Sequence, residues 1–142
     1  LLIDMPPGTG DVSISLSQLL TFFETIIVTT PQSNATLVAE RAGIMSKKVN
    51  SSIIGVIENM SFMKVNDSII YPFGEGGGSL LADKLDVPLI GQIPLDNLVA
   101  NYCEKGRLQD ISSDKIFEDI VKFSDKIDNI APKKKPINLK IN

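Results

Sequence analysis

Short β-branched runs alternate along this chain with longer segments at helical spacing, and most of the runs end in a proline or polar turn. That rhythm confines the fold to βαβ units wound around a mainly parallel sheet, because parallel neighbours need a crossover long enough to hold a helix. Leu1 to Asp4 reads as the first strand, ending at Pro6-Pro7-Gly8. Ser13 to Phe22 has helical spacing, with Asp11 or Ser13 as its cap. Thr25 to Thr29 is a buried strand closed by Thr30-Pro31, and Ser33 or Asn34 caps a helix running to about Lys48. Ile53 to Ile57 is a third strand, left through Glu58-Asn59-Met60-Ser61.

Residues 62–78 are less regular, with a short strand Ile69-Ile70-Tyr71 followed by Pro72 and a loop rich in glycine. A helix over Ser79–Leu85 leads into the strand Leu89–Ile93, which ends at Pro94-Leu95-Asp96. Another helix starts near Asn97, and Ser113 to Ile127 has the spacing of an amphipathic helix. The expected organisation is one α/β domain over residues 1–130 and a basic, disordered tail over 131–142.

Composition narrows the function classes. The 142 residues carry a net charge of -3, yet residues 131–142 hold four lysines and no acid, so the body itself is clearly acidic. Nucleic acid is therefore not an expected partner. The lone Cys103 excludes an intrachain disulfide framework and any site built from several thiolates of one chain. No signal peptide or membrane-spanning run is recognisable, and a cytoplasmic location without membrane partners is expected. The opening Leu1-Leu2-Ile3-Asp4 has no initiator methionine and reads as the interior of a strand, so the chain is expected to be a fragment.

In a parallel sheet the four turns after these strands share one rim, where open α/β sheets bind their ligands. At that rim Asp4 precedes Pro6-Pro7-Gly8-Thr9-Gly10-Asp11. A carboxylate on a strand end before a glycine-containing turn suits Mg²⁺, which is bound through one or two carboxylates, water and phosphate oxygens. Gly8 can donate a backbone N–H toward a terminal phosphate. Asn59, in the turn after the third strand, offers both a hydrogen-bond donor and an acceptor. A plain strand end and a plain turn remain the alternatives for Asp4 and Asn59.

Leu2-Ile3-Asp4-Met5-Pro6-Pro7-Gly8-Thr9-Gly10-Asp11 resembles the Walker B and switch II segment of Mrp-type P-loop ATPases, the iron-sulfur cluster carrier family related to MinD and ParA. The resemblance continues in order through Ile26–Gln32, Gly55–Ser61, Phe73–Gly78 and Val87–Asp96. It implies a partial P-loop NTPase fold, beginning after the Walker A loop. It also implies that Asp4 is the Walker B acid and metal-side residue, that Pro7 to Asp11 sense the γ-phosphate with Gly8 and Asp11 in catalytic roles, that Asn59 bonds adenine, and that Pro94, Leu95 and Asp96 line the base and ribose pocket. ATP, Mg²⁺, homodimerisation and apo iron-sulfur client proteins follow from the same resemblance.

Two departures accompany it. The glycine-rich phosphate loop and its lysines are absent from these residues, so ATP turnover is expected of a complete parent protein and not of this chain alone. Many family members carry a Cys-x-x-Cys pair that holds a cluster between two subunits; counted without gaps, those positions are Val65 and Ser68 here. Two further readings stay open: a cluster-independent positioning or regulatory ATPase of the MinD and ParA kind, and a non-enzymatic remnant that binds a partner. Gly74 to Gly78 lack the lysine of a phosphate loop and read as a flexible connector near a dimer surface.

Overall fold

A computed structural model describes residues 2–6, 11–20, 23–49, 51–107, 110, 124–127 and 129. The elements in order are α1 (Asp11–Leu19), β1 (Glu24–Thr29), α2 (Ser33–Lys48), β2 (Ser52–Glu58), β3 (Met63–Val65), β4 (Ser68–Ile70), α3 (Gly77–Leu85), β5 (Leu89–Gln92) and α4 (Asn97–Glu104). β1, β2 and β5 form a three-stranded parallel sheet in that order, with β2 central. Successive parallel strands that step one way across a sheet, with crossovers of one hand, place their helices on one face. Accordingly α2 and α3 pack against each other and against the sheet.

The core lies between that sheet face and the two helices. Ile27, Ala39, Val56, Leu81, Ala82 and Leu85 are its buried members, with Ile53, Val87 and Leu89 packed around them. Two close approaches fix the layer spacing. A Cβ on Gly43 of α2 would stand 2.7 Å from Leu85 Cδ1, so a larger residue there would have to push the Leu85 side chain aside. The Lys47 ammonium donates to the Leu85 carbonyl at 2.6 Å, placing a cation on the carboxyl end of α3 where the helix dipole favours one.

Several expectations need correction. Leu2 to Asp4 form no strand, and Leu2 is 95% exposed. An apolar run becomes a strand only against a ladder partner, and among the described residues none pairs with it. The irregular stretch after β2 is an antiparallel hairpin, β3 with β4, in which Val65 lies opposite Ser68. Asn66 opens its two-residue turn at φ 53, the left-handed conformation that such hairpins require and that asparagine tolerates. α2 begins one turn after β1 with Gln32 at the cap position and no side-chain cap, so neither Ser33 nor Asn34 caps it.

The glycines from Gly74 are also misread as a flexible connector. Gly76, at φ 78, is the cap residue of α3, and Gly77 and Gly78 are its first turn. Most of the helix expected over Ser113–Ile127 lies outside the described residues, as do Pro7 to Gly10 and the 131–142 tail; Ser124 to Ile127 are helical.

Candidate functional site

The carboxyl ends of β1, β2 and β5 lie side by side, and the chain beyond each strand is stitched to its neighbour. The Asn59 amide donates to the Thr29 carbonyl at 2.7 Å and the Ile93 amide to the Glu58 carbonyl at 2.8 Å. Past the strands, the Ser61 amide donates to the Ile93 carbonyl at 2.9 Å and the Leu95 amide to the Phe62 carbonyl at 2.7 Å. These bonds bring the Asn59 turn against the Ile93–Asp96 segment on one rim, the location expected for a ligand in a sheet of this type.

Each candidate side chain has a definite setting. Asn59 is half-buried, and its Oδ1 accepts from the Met60 amide at 2.9 Å. Met60 follows at φ 54, a left-handed conformation that costs a non-glycine residue about 1 kcal/mol or more and persists only where its surroundings hold it. Pro94, Leu95 and Asp96 are half-buried. Asp96 caps α4 by accepting from the Leu98 amide at 2.7 Å, a bond worth about 1 kcal/mol to the helix. One of its carboxylate oxygens is thus committed to structure.

Asp4 is exposed and stands outside the sheet, Gly8 lies outside the described residues, and Asp11 is the exposed first residue of α1. The structure therefore joins the Asn59 turn with Pro94–Asp96, while Asp4 belongs to no strand of the described sheet. Among the described residues no group of three or more acidic, histidine or cysteine side chains could hold a metal ion. A lone exposed carboxylate nevertheless suits Mg²⁺, which keeps most of its coordination shell in water and phosphate oxygens. Asp4 is the residue that would hold that shell, and the ion would supply charge neutralisation at the phosphates. A cluster is a different matter: Val65 and Ser68 carry no thiolate, and the exposed Cys103 sits on α4, away from the hairpin in sequence.

Glu58, quoted in the sequence only as part of a turn, is the residue the sequence reading missed. Its side chain is fully buried. Its carboxylate accepts from the Ser61 hydroxyl and from the Gly78 amide, and from Gln92 Nε2 at 2.9 Å. Gln92 Nε2 also reaches Ser61 Oγ at 2.9 Å. A buried carboxylate without such donors would cost several kcal/mol. The Gly78 bond explains why α3 has no side-chain cap of its own, since Glu58 reaches across from β2 to satisfy one of its orphan amides. It also explains the glycine: a Cβ on Gly78 would lie 2.6 Å from Glu58 Cβ.

An open depression of about 410 Å³ lined by Ala82, Asp83, Asp86, Val87 and Pro88 lies at the amino end of β5, opposite this rim, and contains none of the candidate side chains. No helix among the described residues is long and apolar enough to cross a membrane.

The family model "ParA: NUBPL iron-transfer P-loop NTPase" matches residues 1–129. An iron-sulfur cluster carrier protein of Mycobacterium tuberculosis is 52% identical over 103 residues, which are 68% of this chain and 27% of that protein. One from Bacillus subtilis is 45% identical over 97 residues, 67% of this chain and 28% of that protein. The chain thus spans little more than a quarter of the length of these curated relatives. Among solved structures, a nucleotide-binding protein from Archaeoglobus fulgidus in complex with ADP superposes with a TM-score of 0.66 at 32% identity, covering 80% of this chain and 47% of that one. The cell division ATPase MinD of Pyrococcus furiosus shares the fold, with a TM-score of 0.59 over 76% of this chain and 43% of its own. With a sheet of this order, and with a family match over nearly its whole length, this chain belongs to the ParA family of NUBPL-type iron-transfer P-loop NTPases.

Proposed function

We propose that this chain supplies the switch and base-reading part of a MgATP site in a full-length protein that binds and hydrolyses ATP and serves iron-sulfur cluster assembly or transfer. The observation that carries the reading is the stitching of the Asn59 turn to Ile93–Asp96 on the carboxyl rim of the sheet. In this reading Asn59 bonds the adenine edge, Pro94, Leu95 and Asp96 line the base and ribose, Asp4 holds the hydrated metal, and Gly8 and Asp11 respond to the γ-phosphate. Nucleotide state then alters the turn after Asp4, and homodimerisation accompanies the cycle. The setting is cytoplasmic, and the partners are apo iron-sulfur proteins rather than nucleic acid or membrane.

Asn59→Ala in the full-length protein should weaken ATP binding about fivefold, the loss expected for one net hydrogen bond. Inosine triphosphate, which lacks the adenine amino group, should lose less. Calorimetric titration with both nucleotides decides the matter, and equal losses would leave Asn59 as a turn residue only.

A second reading, an ATPase of the same family that carries no cluster, is favoured by one specific feature. Val65 and Ser68, the positions of the family's cysteine pair, face each other across the hairpin turn without a sulfur between them. Anaerobic reconstitution of the full-length protein should accordingly give cluster absorbance far below stoichiometric. The double substitution Val65→Cys, Ser68→Cys should raise it, because the cross-strand register already sets the two positions side by side. Robust cluster absorbance in the unsubstituted protein that survives Cys103→Ser would overturn the second reading.

A further inference from the structure

Glu58 is the one acid in the described structure that is buried completely, and nothing in the ATPase reading above uses it. Its carboxylate gathers three separate pieces of the rim. Ser61 ends the turn that contains Asn59, Gln92 ends β5 just before Pro94–Asp96, and Gly78 lies in the first turn of α3. Ser61 and Gly78 are also the two roots of the excursion that carries the β3–β4 hairpin. The loop therefore leaves from and returns to one carboxylate.

An apolar side chain of the same volume would fill this space at lower desolvation cost, so the carboxylate's contribution is geometric. Beside it, Met60 is held in a left-handed conformation that an unconstrained turn would abandon. Next door again, the Asn59 side chain is oriented by the Met60 amide at 2.9 Å. A chain of contacts thus runs from Glu58 through Ser61 and Met60 to Asn59, and from Glu58 through Gln92 to the segment opposite.

We infer that Glu58 is a positioning residue for base recognition, a latch that fixes the Asn59 turn relative to Pro94–Asp96 and ties both to the root of the hairpin. The inference rests on the reading of Asn59 and Pro94–Asp96 as the base pocket. Glu58 itself touches no nucleotide.

The test is the ratio of inosine triphosphate to ATP dissociation constants, measured calorimetrically on the full-length protein and its variants. Glu58→Met removes both carboxylate oxygens and leaves only a weakly accepting thioether in a side chain of similar length, and it should weaken ATP about tenfold and bring the ratio close to unity. Glu58→Gln keeps an oxygen for the Gly78 amide and can pair its amide with that of Gln92, so it should restore most of the discrimination. A merely structural role would weaken both nucleotides alike and leave the ratio unchanged, which would overturn the inference.

Asn59→Ala separates the inference from the reading beneath it. If Asn59→Ala lowers the ratio and Glu58→Met does not, the latch is wrong and the base pocket stands. If neither lowers it, the base pocket itself is wrong and the latch falls with it. If only Glu58→Met lowers it, the latch stands and acts through Pro94–Asp96. Should Glu58→Met fail to fold, Gln92→Ala carries the test, since Gln92 is exposed and its loss should lower the ratio about threefold. An unchanged ratio in that variant would overturn the inference equally.

Discussion

Asp4→Ala in the full-length protein should lower Mg²⁺-dependent ATP turnover by about 10²- to 10³-fold, the scale on which single groups that stabilise transferring charge act. Asp4 is an exposed carboxylate, and the proposed function gives it the hydrated metal. Its removal takes away the protein anion that the proposal assigns to that water shell, and because the side chain is exposed the fold should change little. Binding of ATP should weaken far less than turnover falls, because the base-side contacts remain. Steady-state phosphate release with and without Mg²⁺, together with a thermal melt, checks the expectation. A folded variant with unchanged turnover would remove Asp4 from the site.

Gly77→Ala should cost about 3 kcal/mol of folding free energy, at the upper end of overpacking effects, since the obstacle is backbone and not a side chain that can turn aside. A Cβ at this position would run into the carbonyl of Pro31, in the turn between β1 and α2. Gly78→Ala meets the Glu58 side chain instead, 2.6 Å from Cβ and 2.9 Å from Oε2, and should displace the carboxylate from the start of α3. Gly74 provides the contrast. It has open space around it and only its φ of 87 to satisfy, so Gly74→Asn, the side chain that tolerates this region best, should cost about 1 kcal/mol, well below Gly77→Ala. Urea denaturation of the full-length variants gives the ranking. A Gly77→Ala protein as stable as the parent would mean that α3 does not start against the turn after β1.

The sheet strands were legible because their residues carry the information locally. Ile26-Ile27-Val28 and Ile53-Ile54 are β-branched, each run ends in a turn, and the helices between them have the length that a parallel crossover demands. Asn59 and Pro94–Asp96 were found together for the same reason, since both follow strands of one parallel sheet. Leu2-Ile3-Asp4 has the same local appearance, but strand formation there depends on a neighbour, and spacing within the run says nothing about whether one exists. Met63 to Val65 escaped notice because a three-residue strand is too short to show alternation.

Glu58 was illegible for a deeper reason. An acid at a strand end normally marks solvent, and the donors that make its burial tolerable stand 3, 20 and 34 positions further along the chain. No window of sequence holds them together. Gly77 and Gly78 illustrate the complementary ambiguity: glycine is used both where the backbone must bend freely and where another group must come too close for a methyl, and the letter is the same.

The parallel order of β1, β2 and β5 also governs how such a chain can reach its native state. Each ladder joins residues roughly thirty positions apart, so loop closure must precede any reward from strand pairing, and β2, which among the described strands is the one with two neighbours, must be in place before this sheet is complete. The β3–β4 hairpin can zip within microseconds, long before that. During this interval β2 presents bare hydrogen-bonding edges on both sides, the period in which misassociation competes with maturation and a chaperone has something to hold.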